Sequence, residues 1–257
     1  MQTIYGTTFS EAGGAIGKFD AQLLLKPMGV SRHELGELVV TRCVTENGAL
    51  DIRIAGEKRS ADSVQNDIEN ISGLTRAALD RMHRFVRLWR ATSWRIGELD
   101  LVLTHLEQAG FGTALDAATV RAVAAVHRLQ TTRELRVEEF VVLWSTVPRH
   151  AVLAGSTVPL FDRLFNQKSF VEADGAYPKP ETAFLHPALA AAPPASTDPN
   201  LHRLLAATGA TEDELLQLIL GLARPLGIDP ASNVDAQKAF ALSERCLLYT
   251  SPSPRDS

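Results

Sequence analysis

Hydrophobic residues recur every three or four positions through the middle of the chain, which is the spacing of one face of an α-helix. From Thr75 the apolar stripe consists of Leu79, Met82, Val86 and Trp89, with Phe85 beside it. Ser93 is a candidate N-cap for the next stripe, which consists of Ile96, Leu99, Leu103 and Leu106 and stops at Gly110. The pattern predicts two consecutive amphipathic helices.

Two further helical stretches follow, one behind the candidate N-cap Asp116 and one over residues 137–147, before Pro148. Four helices with short connections predict a mainly α fold, in which antiparallel amphipathic helices form a bundle or array. The segment that follows these four helices has a different sequence pattern. Residues 166–200 carry six prolines and little apolar bulk, which predicts a long irregular segment.

Short signals define the remaining elements. Ser31 and Glu34 form a candidate capping box, and so do Thr211 and Glu214, whose helix should end near Pro225 and Gly227. The turn signal Asn47-Gly48 and the alternation of Leu50, Ile52 and Ile54 predict a small β-hairpin or a single strand near residues 40–55. We divide the chain into 1–73, 74–165 (the four helices), 166–200, 201–245 (a further helical segment) and 246–257.

The amino-acid composition argues against some classes of function. Hydrophobic residues make up 45% and charged residues 22% of the 257 residues, and the net charge is −4. These values are typical of a globular chain, and they argue against a dedicated nucleic-acid binder, which is usually strongly basic. We find no signal peptide and no apolar run of the roughly 18 residues that a transmembrane helix needs.

The last twelve residues, CLLYTSPSPRDS, have no apolar periodicity. Back-translated, Cys246–Asp256 are similar to one reading frame of an adapter used in transposon-based sequencing libraries. We therefore expect residues 246–257 to be read-through and the chain to be a fragment. Cys43 is then the only native cysteine, which rules out an internal disulfide.

Candidate chemistry is sparse. Residues 76–95 are locally basic through Arg76, Arg81, Arg84, Arg87, Arg90 and Arg95. This pattern is typical either of a surface that binds phosphate or membrane, or of a solvated helix face paired with neighbouring acids, and we favour the second interpretation. The seven histidines lack metal-ligand spacing, and Gly13–Lys18 does not meet the phosphate-loop pattern. The sequence therefore predicts no catalytic, cofactor or metal site.

Two stretches are more distinctive, Leu74–Leu103 and Ser156–Gln167. Both resemble the A component of bacterial Tc (toxin complex) insecticidal toxins, in the region similar to virulence plasmid A proteins. The family has a helix of the type LDRLxRFxRLWRKLGW, then ELDxxL, and, after two more helices, LYDRLF. The residues that match in this chain, which we expect to act as packing motifs, are Leu79, Phe85, Leu88, Trp89, Trp94, Leu99, Leu160, Phe161, Asp162, Arg163, Leu164 and Phe165.

The resemblance implies a place in the α-helical shell around a translocation channel. In that family the A component is a homopentamer that binds a host-cell receptor or glycan and receives its toxic enzyme from a cocoon of B and C components. The resemblance also implies a secreted or cell-surface parent protein that meets the membrane only through a channel region elsewhere, with no cofactor and no nucleic acid.

Two alternatives remain open at this point. One is a stand-alone virulence-plasmid A-type effector or accessory protein, which an early stop codon in the native locus would indicate. The other is a module that binds anionic surfaces through the arginine-rich helix 76–95. That module predicts salt-sensitive binding that is lost when Arg84 and Arg87 become Glu.

Overall fold

A computed structural model describes residues 11–12, 14–62, 64–65, 68–111, 115–133, 135–145, 147–148, 158–165, 187–189, 201–202, 205, 209–229, 242 and 246. The chain forms two compact units, which are considered separately. The first comprises Met1–Val137 with Val152–Ala154, and the second comprises Glu138–Ala151 with Gly155–Ser257. The described residues are mainly helical, with a small antiparallel sheet, which confirms the predicted fold class at this level.

The first unit contains most of the described elements. Its helices are α1 (Gln22–Met28), α2 (Arg32–Val39), α3 (Arg42–Thr45), α4 (Arg76–Arg90), α5 (Ile96–Gln108) and α6 (Ala117–Arg133). Its strands are β1 (Glu11–Ala12), β2 (Ala15–Ile16), β3 (Phe19–Asp20), β4 (Arg53–Glu57) and β5 (Ile68–Ser72). β1 pairs with β2, and β5 lies between β3 and β4 in a three-stranded antiparallel sheet.

The predicted strand near residues 40–55 is only partly correct. Residues 42–45 are the helix α3, capped by the Thr41 side chain, and the strand begins at Arg53 and pairs with β5. Asn47 and Gly48 do have positive φ angles, of 57° and 88°, but they follow the helix C-terminus and do not join two strands. Residues with left-handed backbone occur both at helix C-termini and in hairpin turns. The turn signal alone therefore could not distinguish a helix end from a hairpin.

Most predicted helix starts are confirmed. Ser31 and Glu34 form a capping box, as do Thr211 and Glu214, and Thr75 caps α4. The prediction that Ser93 caps the following helix is wrong: α5 begins at Ile96, and the backbone N–H of Arg95 donates to the Glu98 carboxylate at 2.8 Å. Ser93 instead belongs to the corner between the two helices.

One close backbone approach connects the sheet to α4. Gly73 has a φ of 76°, and a Cβ built on it would lie 2.0 Å from the carbonyl oxygen of Asp51. A side chain cannot fit there, and the left-handed backbone also favours glycine. Gly73 therefore allows β5 to pass Asp51 immediately before the chain enters α4.

The second unit is described over fewer residues. Its helices are α8 (Leu160–Phe165) and α9 (Glu212–Leu226), with 3₁₀ turns at Val141–Leu143 and Pro187–Leu189; α7 (Val137–Phe140) begins at the boundary between the units. The predicted helix over 137–147 is thus split into one α-helical turn and one 3₁₀ turn. The adjacent β-branched residues Val141 and Val142 lower helix propensity at that point.

Described residues of the second unit form a buried hydrophobic cluster, which includes Val142, Val147, Leu160, Phe161, Leu201, Leu215 and Ile219. α9 ends as predicted, because Gly227 adopts a left-handed φ of 62°. Apart from Pro187–Leu189, the predicted irregular segment 166–200 lies outside the described residues, as does most of 246–257. No described helix is both long enough and apolar enough to cross a bilayer.

Candidate functional site

The stretch Leu74–Leu103 folds into a corner between α4 and α5 that two tryptophans hold. The indole N–H of Trp89, near the end of α4, donates to the backbone carbonyl of Trp94 at 2.8 Å. The hydroxyl of Thr92 donates back to the Trp89 carbonyl at 2.9 Å, so both ends of the turn are fixed. We call residues 88–95 the tryptophan corner.

Trp94 extends this corner to α6. Its indole N–H donates to the Gln130 side-chain oxygen at 3.1 Å, and its ring meets His127 edge-on, with centroids 5.1 Å apart. Gln130 also donates to the carbonyl of Leu135 at 2.5 Å. Trp94 is almost fully buried, so its polar atom needs such a partner. Trp94 therefore contacts α6 at two residues, and Gln130 connects it to the segment that follows α6.

The apolar motif residues of the first unit have core positions. Phe85 and Leu99 are fully buried and Leu79 nearly so, whereas Leu88 and Trp89 are half-buried. The structure therefore brings together the first-unit residues that the sequence singled out, in one packed set of helices.

The second motif lies in the other unit. Leu160 and Phe161 are buried in its core cluster with Leu164 packed against it, and the Phe161 N–H donates to the Pro148 carbonyl at 3.0 Å. Arg163 forms an ion pair with Glu138 of α7. Asp162 is half-buried, and the Phe165 side chain lies outside the described residues.

The arginine side chains of α4 mainly form hydrogen bonds and ion pairs with other residues of the first unit. Arg90 donates to the carbonyls of Met28 and Gly29 at 2.5 and 2.7 Å, at the C-terminus of α1. Arg84 pairs with Asp80 one turn earlier, and Arg87 donates to the His83 carbonyl. A guanidinium that terminates a helix or pairs with a neighbouring acid is a structural group, which agrees with the interpretation favoured from the sequence.

A cavity of about 220 Å³ lies beside Arg81 in the first unit, and we call it the polar cavity. Arg42, Cys43, Glu46 and Asn47 line it from α3 and the turn that follows. Leu103, Thr104 and Glu107 line it from α5, and Leu115 and Thr119 complete the wall. This cavity could not be predicted from the sequence, because its lining comes from four separate segments.

A partly buried carboxylate holds one wall of the polar cavity. The two oxygens of Asp100, on α5, accept the backbone N–H groups of Arg42 and Cys43, each at 2.9 Å. Burial raises the pKa of Asp100, although the two N–H groups oppose that shift. Burial, together with the Asp100 charge, raises the pKa of the Cys43 thiol to about 12. Cys43 is therefore a neutral thiol at physiological pH and a poor nucleophile.

Arg81 joins the polar cavity to the end of α3. One of its terminal nitrogens donates to the Val44 carbonyl at 3.2 Å and pairs with Glu46 at 2.6 Å. Its Nε is buried and has no hydrogen-bond partner within the described part of the chain. Glu46 and Asn47 both have positive φ angles, and the Asn47 amide donates to the Glu107 carboxylate at 3.2 Å.

The polar cavity presents charged groups of both signs. Cys43 has no thiolate character, and within the described residues no group of three or more histidines, cysteines or acids could hold a metal ion. Comparison with known proteins gives no match to a family model, a curated protein or a solved structure.

Proposed function

We propose that this chain is a segment of the α-helical shell of a Tc-toxin A subunit, a structural part of a machine that carries a toxic enzyme across a membrane. The observation that supports the proposal is the tryptophan corner. It lies inside the stretch Leu74–Leu103 that carries the resemblance, and its hydrogen bonds fix the turn between two consecutive helices. A shell wall requires such fixed turns, because its shape depends on the angle between neighbouring helices.

In this proposal α4, α5 and α6 are successive antiparallel members of the wall. The connection between α4 and α5 is only the five residues Ala91–Arg95, and short connections favour antiparallel neighbours. α5 contacts α6, and Trp94 adds hydrogen bonding and ring contact to that pairing. The second motif plays the same packing role in its own unit.

The proposal assigns no catalytic role and no cofactor to the segment. Its partners are the rest of the A subunit, the other four copies of the pentamer and, through the whole protein, the B–C cocoon and a host-cell receptor or glycan. The parent protein is secreted or held at the bacterial surface, and it enters the membrane only through its channel region. Nucleic acid is not among its partners.

A module for anionic surfaces is the weaker candidate. Arg81 and Arg90 are engaged by Val44, Glu46 and the end of α1, so neither guanidinium is available to a lipid phosphate without losing those bonds. An arginine surface of this kind stabilises its own fold and offers little free charge.

The native locus provides the first test. Long-read sequencing outward from codon 245 should reveal an open frame that continues for several thousand bases and encodes further helices and a channel region. A stop codon directly after codon 257, in the native DNA, would overturn the shell proposal and favour the stand-alone virulence-plasmid A-type protein.

The parent protein provides the second test. Mass photometry and negative-stain images of the expressed parent should show a homopentamer. Trp89→Phe keeps the ring but removes the N–H donor, so it should weaken the corner and lower the yield of pentamer, whereas the exposed control Arg84→Gln should not. A parent that stays monomeric at every concentration, in the unsubstituted form, would contradict the proposal.

A further inference from the structure

The polar cavity has walls of both charge signs. Arg42 and Arg81 contribute guanidinium groups, and Glu46 and Glu107 contribute carboxylates. A wall with one sign attracts an ion of the opposite sign, whereas a balanced wall suits a neutral molecule that carries both charges. The charge arrangement therefore favours a zwitterion over a simple anion or cation.

Hydrogen-bonding capacity remains in this wall. Each oxygen of Glu107 is 3.2 Å from the Asn47 amide nitrogen, at the long end of the range for a hydrogen bond, and a carboxylate can accept about four bonds in total. The Nε of Arg81 lacks a partner within the described residues, and a buried donor in that state is costly. A bound ligand could donate directly to the Glu107 carboxylate.

Two leucines give the cavity wall an apolar part, beside Cys43, Thr104 and Thr119. Leu103 and Leu115 are each 8% exposed and lie on the cavity surface. A volume of about 220 Å³ is below the roughly 300–1,000 Å³ of sites for drug-sized ligands. A ligand of amino-acid size with a short aliphatic side chain matches both the volume and the leucines.

The turn after α3 holds its side chains in the wall at a backbone cost. Glu46 and Asn47 have φ angles of 53° and 57°, a left-handed conformation that is unfavourable for glutamate and tolerated better by asparagine. Both side chains line the cavity. The same left-handed backbone ends α3, since the Glu46 N–H donates to the Arg42 carbonyl.

We propose that the polar cavity binds a small aliphatic zwitterion of amino-acid size. Because Arg81 and Glu46 pair with each other, the ligand carboxylate faces Arg42 and its ammonium group faces Glu107. Its aliphatic part packs on Leu103 and Leu115. This site lies within the first unit and is independent of the shell proposal, because neither the tryptophan corner nor the second motif contributes to it.

Three matched probes test the charge assignment on the purified 257-residue chain by isothermal titration calorimetry. L-leucine carries both charges, 4-methylpentanoate only the carboxylate and 3-methylbutylamine only the ammonium. L-leucine should bind with a dissociation constant of about 1 mM or tighter, at least roughly tenfold tighter than either analogue.

Two variants assign the charges to residues. Glu107→Gln should weaken leucine binding at least about tenfold and leave the affinity for 4-methylpentanoate unchanged, because that probe has no ammonium group. Arg42→Gln should weaken binding of leucine and of 4-methylpentanoate but not of 3-methylbutylamine. Arg84→Gln is the control, because it removes the same charge from the exposed face of α4, and far-UV circular dichroism should show that every variant is folded.

The binding results that would overturn the proposal are clearly distinguishable from the expected ones. Equal binding of leucine and one analogue would replace the zwitterion site with a simple anion or cation site and overturn the proposal. Absence of leucine binding at about 10 mM by the unsubstituted, folded chain would overturn it as well. If Glu107→Gln does not fold, the three-probe comparison on the unsubstituted chain still decides, since it needs no variant.

Discussion

Aspartate carboxylates accept N-terminal backbone N–H groups of both α3 and α6, yet the two pKa values are shifted in opposite directions. Asp100 reaches α3 from another helix, accepts two backbone N–H groups and is partly buried, and its pKa is raised. Asp116 precedes its own helix, accepts the Thr119 N–H at 2.8 Å and is exposed, and its pKa is lowered, chiefly by that bond.

This difference shows what each kind of cap contributes. An exposed cap gains from its hydrogen bond without losing hydration, so the ionised form is favoured. A buried cap loses hydration first, and its hydrogen bonds only partly compensate, so the neutral form gains. Asp116 stabilises one helix locally, whereas Asp100 connects α3 to α5 over a sequence separation of 58 residues.

The largest expected effect is the removal of the buried cap. Asp100→Ala leaves the N–H groups of Arg42 and Cys43 without their acceptor, so it should lower the free energy of unfolding by about 3 kcal/mol. Urea denaturation followed by circular dichroism measures this loss. Asp80→Ala, on the exposed face of α4, is the control and should cost less than about 0.5 kcal/mol. Equal losses in the two variants would show that Asp100 does not connect the helices.

The thiol next to the Asp100 cap gives the second prediction. Because the pKa of Cys43 is raised to about 12, little thiolate is available at pH 8. In a Cys246→Ser chain, a thiol reagent such as DTNB should modify Cys43 at least roughly tenfold more slowly in the folded protein than in urea. Asp100→Asn removes the nearby negative charge and should raise the rate; equal rates in the folded and unfolded chain would refute the buried, neutral thiol.

The exposed cap, Asp116, should contribute less to stability than Asp100 and should tolerate substitution better. Asp116→Ala removes the acceptor for Thr119 and should lower the melting temperature by about 3 °C. Asp116→Asn keeps an acceptor oxygen and should change it by about 1 °C or less. At the buried position the amide cannot replace both carboxylate oxygens, so Asp100→Asn should be clearly destabilising. A tolerant Asp100 and a sensitive Asp116 would reverse the comparison.

The smallest effect is a difference in pH dependence. The folded-state pKa of Asp116 is lowered, so its stabilisation is present above the ordinary carboxyl pKa and is lost as the pH falls. The folded-state pKa of Asp100 is raised, so protonation of this group favours the folded state, and its contribution becomes less favourable as the pH rises through the raised value.

Melting temperatures at pH 7 and about pH 3, below the ordinary aspartate pKa of roughly 3.9, measure this difference against the unsubstituted chain. On acidification the loss caused by Asp116→Ala should shrink, and the loss caused by Asp100→Asn should grow, each by about 1–2 °C. Parallel changes in the two variants would show that burial does not set the sign.

The exposed cap could be predicted from the sequence and the buried one could not. Asp116 precedes its own helix, and so do Ser31, Thr75 and Thr211, because a cap acts on an N–H group two or three residues away. Asp100 is an ordinary acid within the ELDL run of a helix, and nothing near it in the sequence indicates that it caps α3.

The wrong predictions at Ser93 and at Asn47-Gly48 also arose because tertiary contacts decide how a local signal is used. Ser93 has the residue type of a cap, but the bond between Trp89 and Trp94 places it within the corner, and the helix begins at Ile96. The Asn47-Gly48 signal correctly indicated left-handed backbone, but the packing of α3 against α5 determined that it ends a helix. Local signals thus identify a conformation more reliably than the element in which it is used.

Local sequence patterns were sufficient to predict the mainly helical class, most helix starts and the apolar faces of α4 and α5, because these depend on residues within one or two turns of one another. The tertiary structure alone decided how the tryptophan corner connects to α6, which arginines are engaged internally and where the polar cavity lies. The bonds from Trp94 to Gln130 and from Arg90 to Met28, for example, join residues 36 and 62 positions apart. Their free energy comes from burial and from hydrogen bonds across packed elements, and neither can be evaluated before the chain has folded.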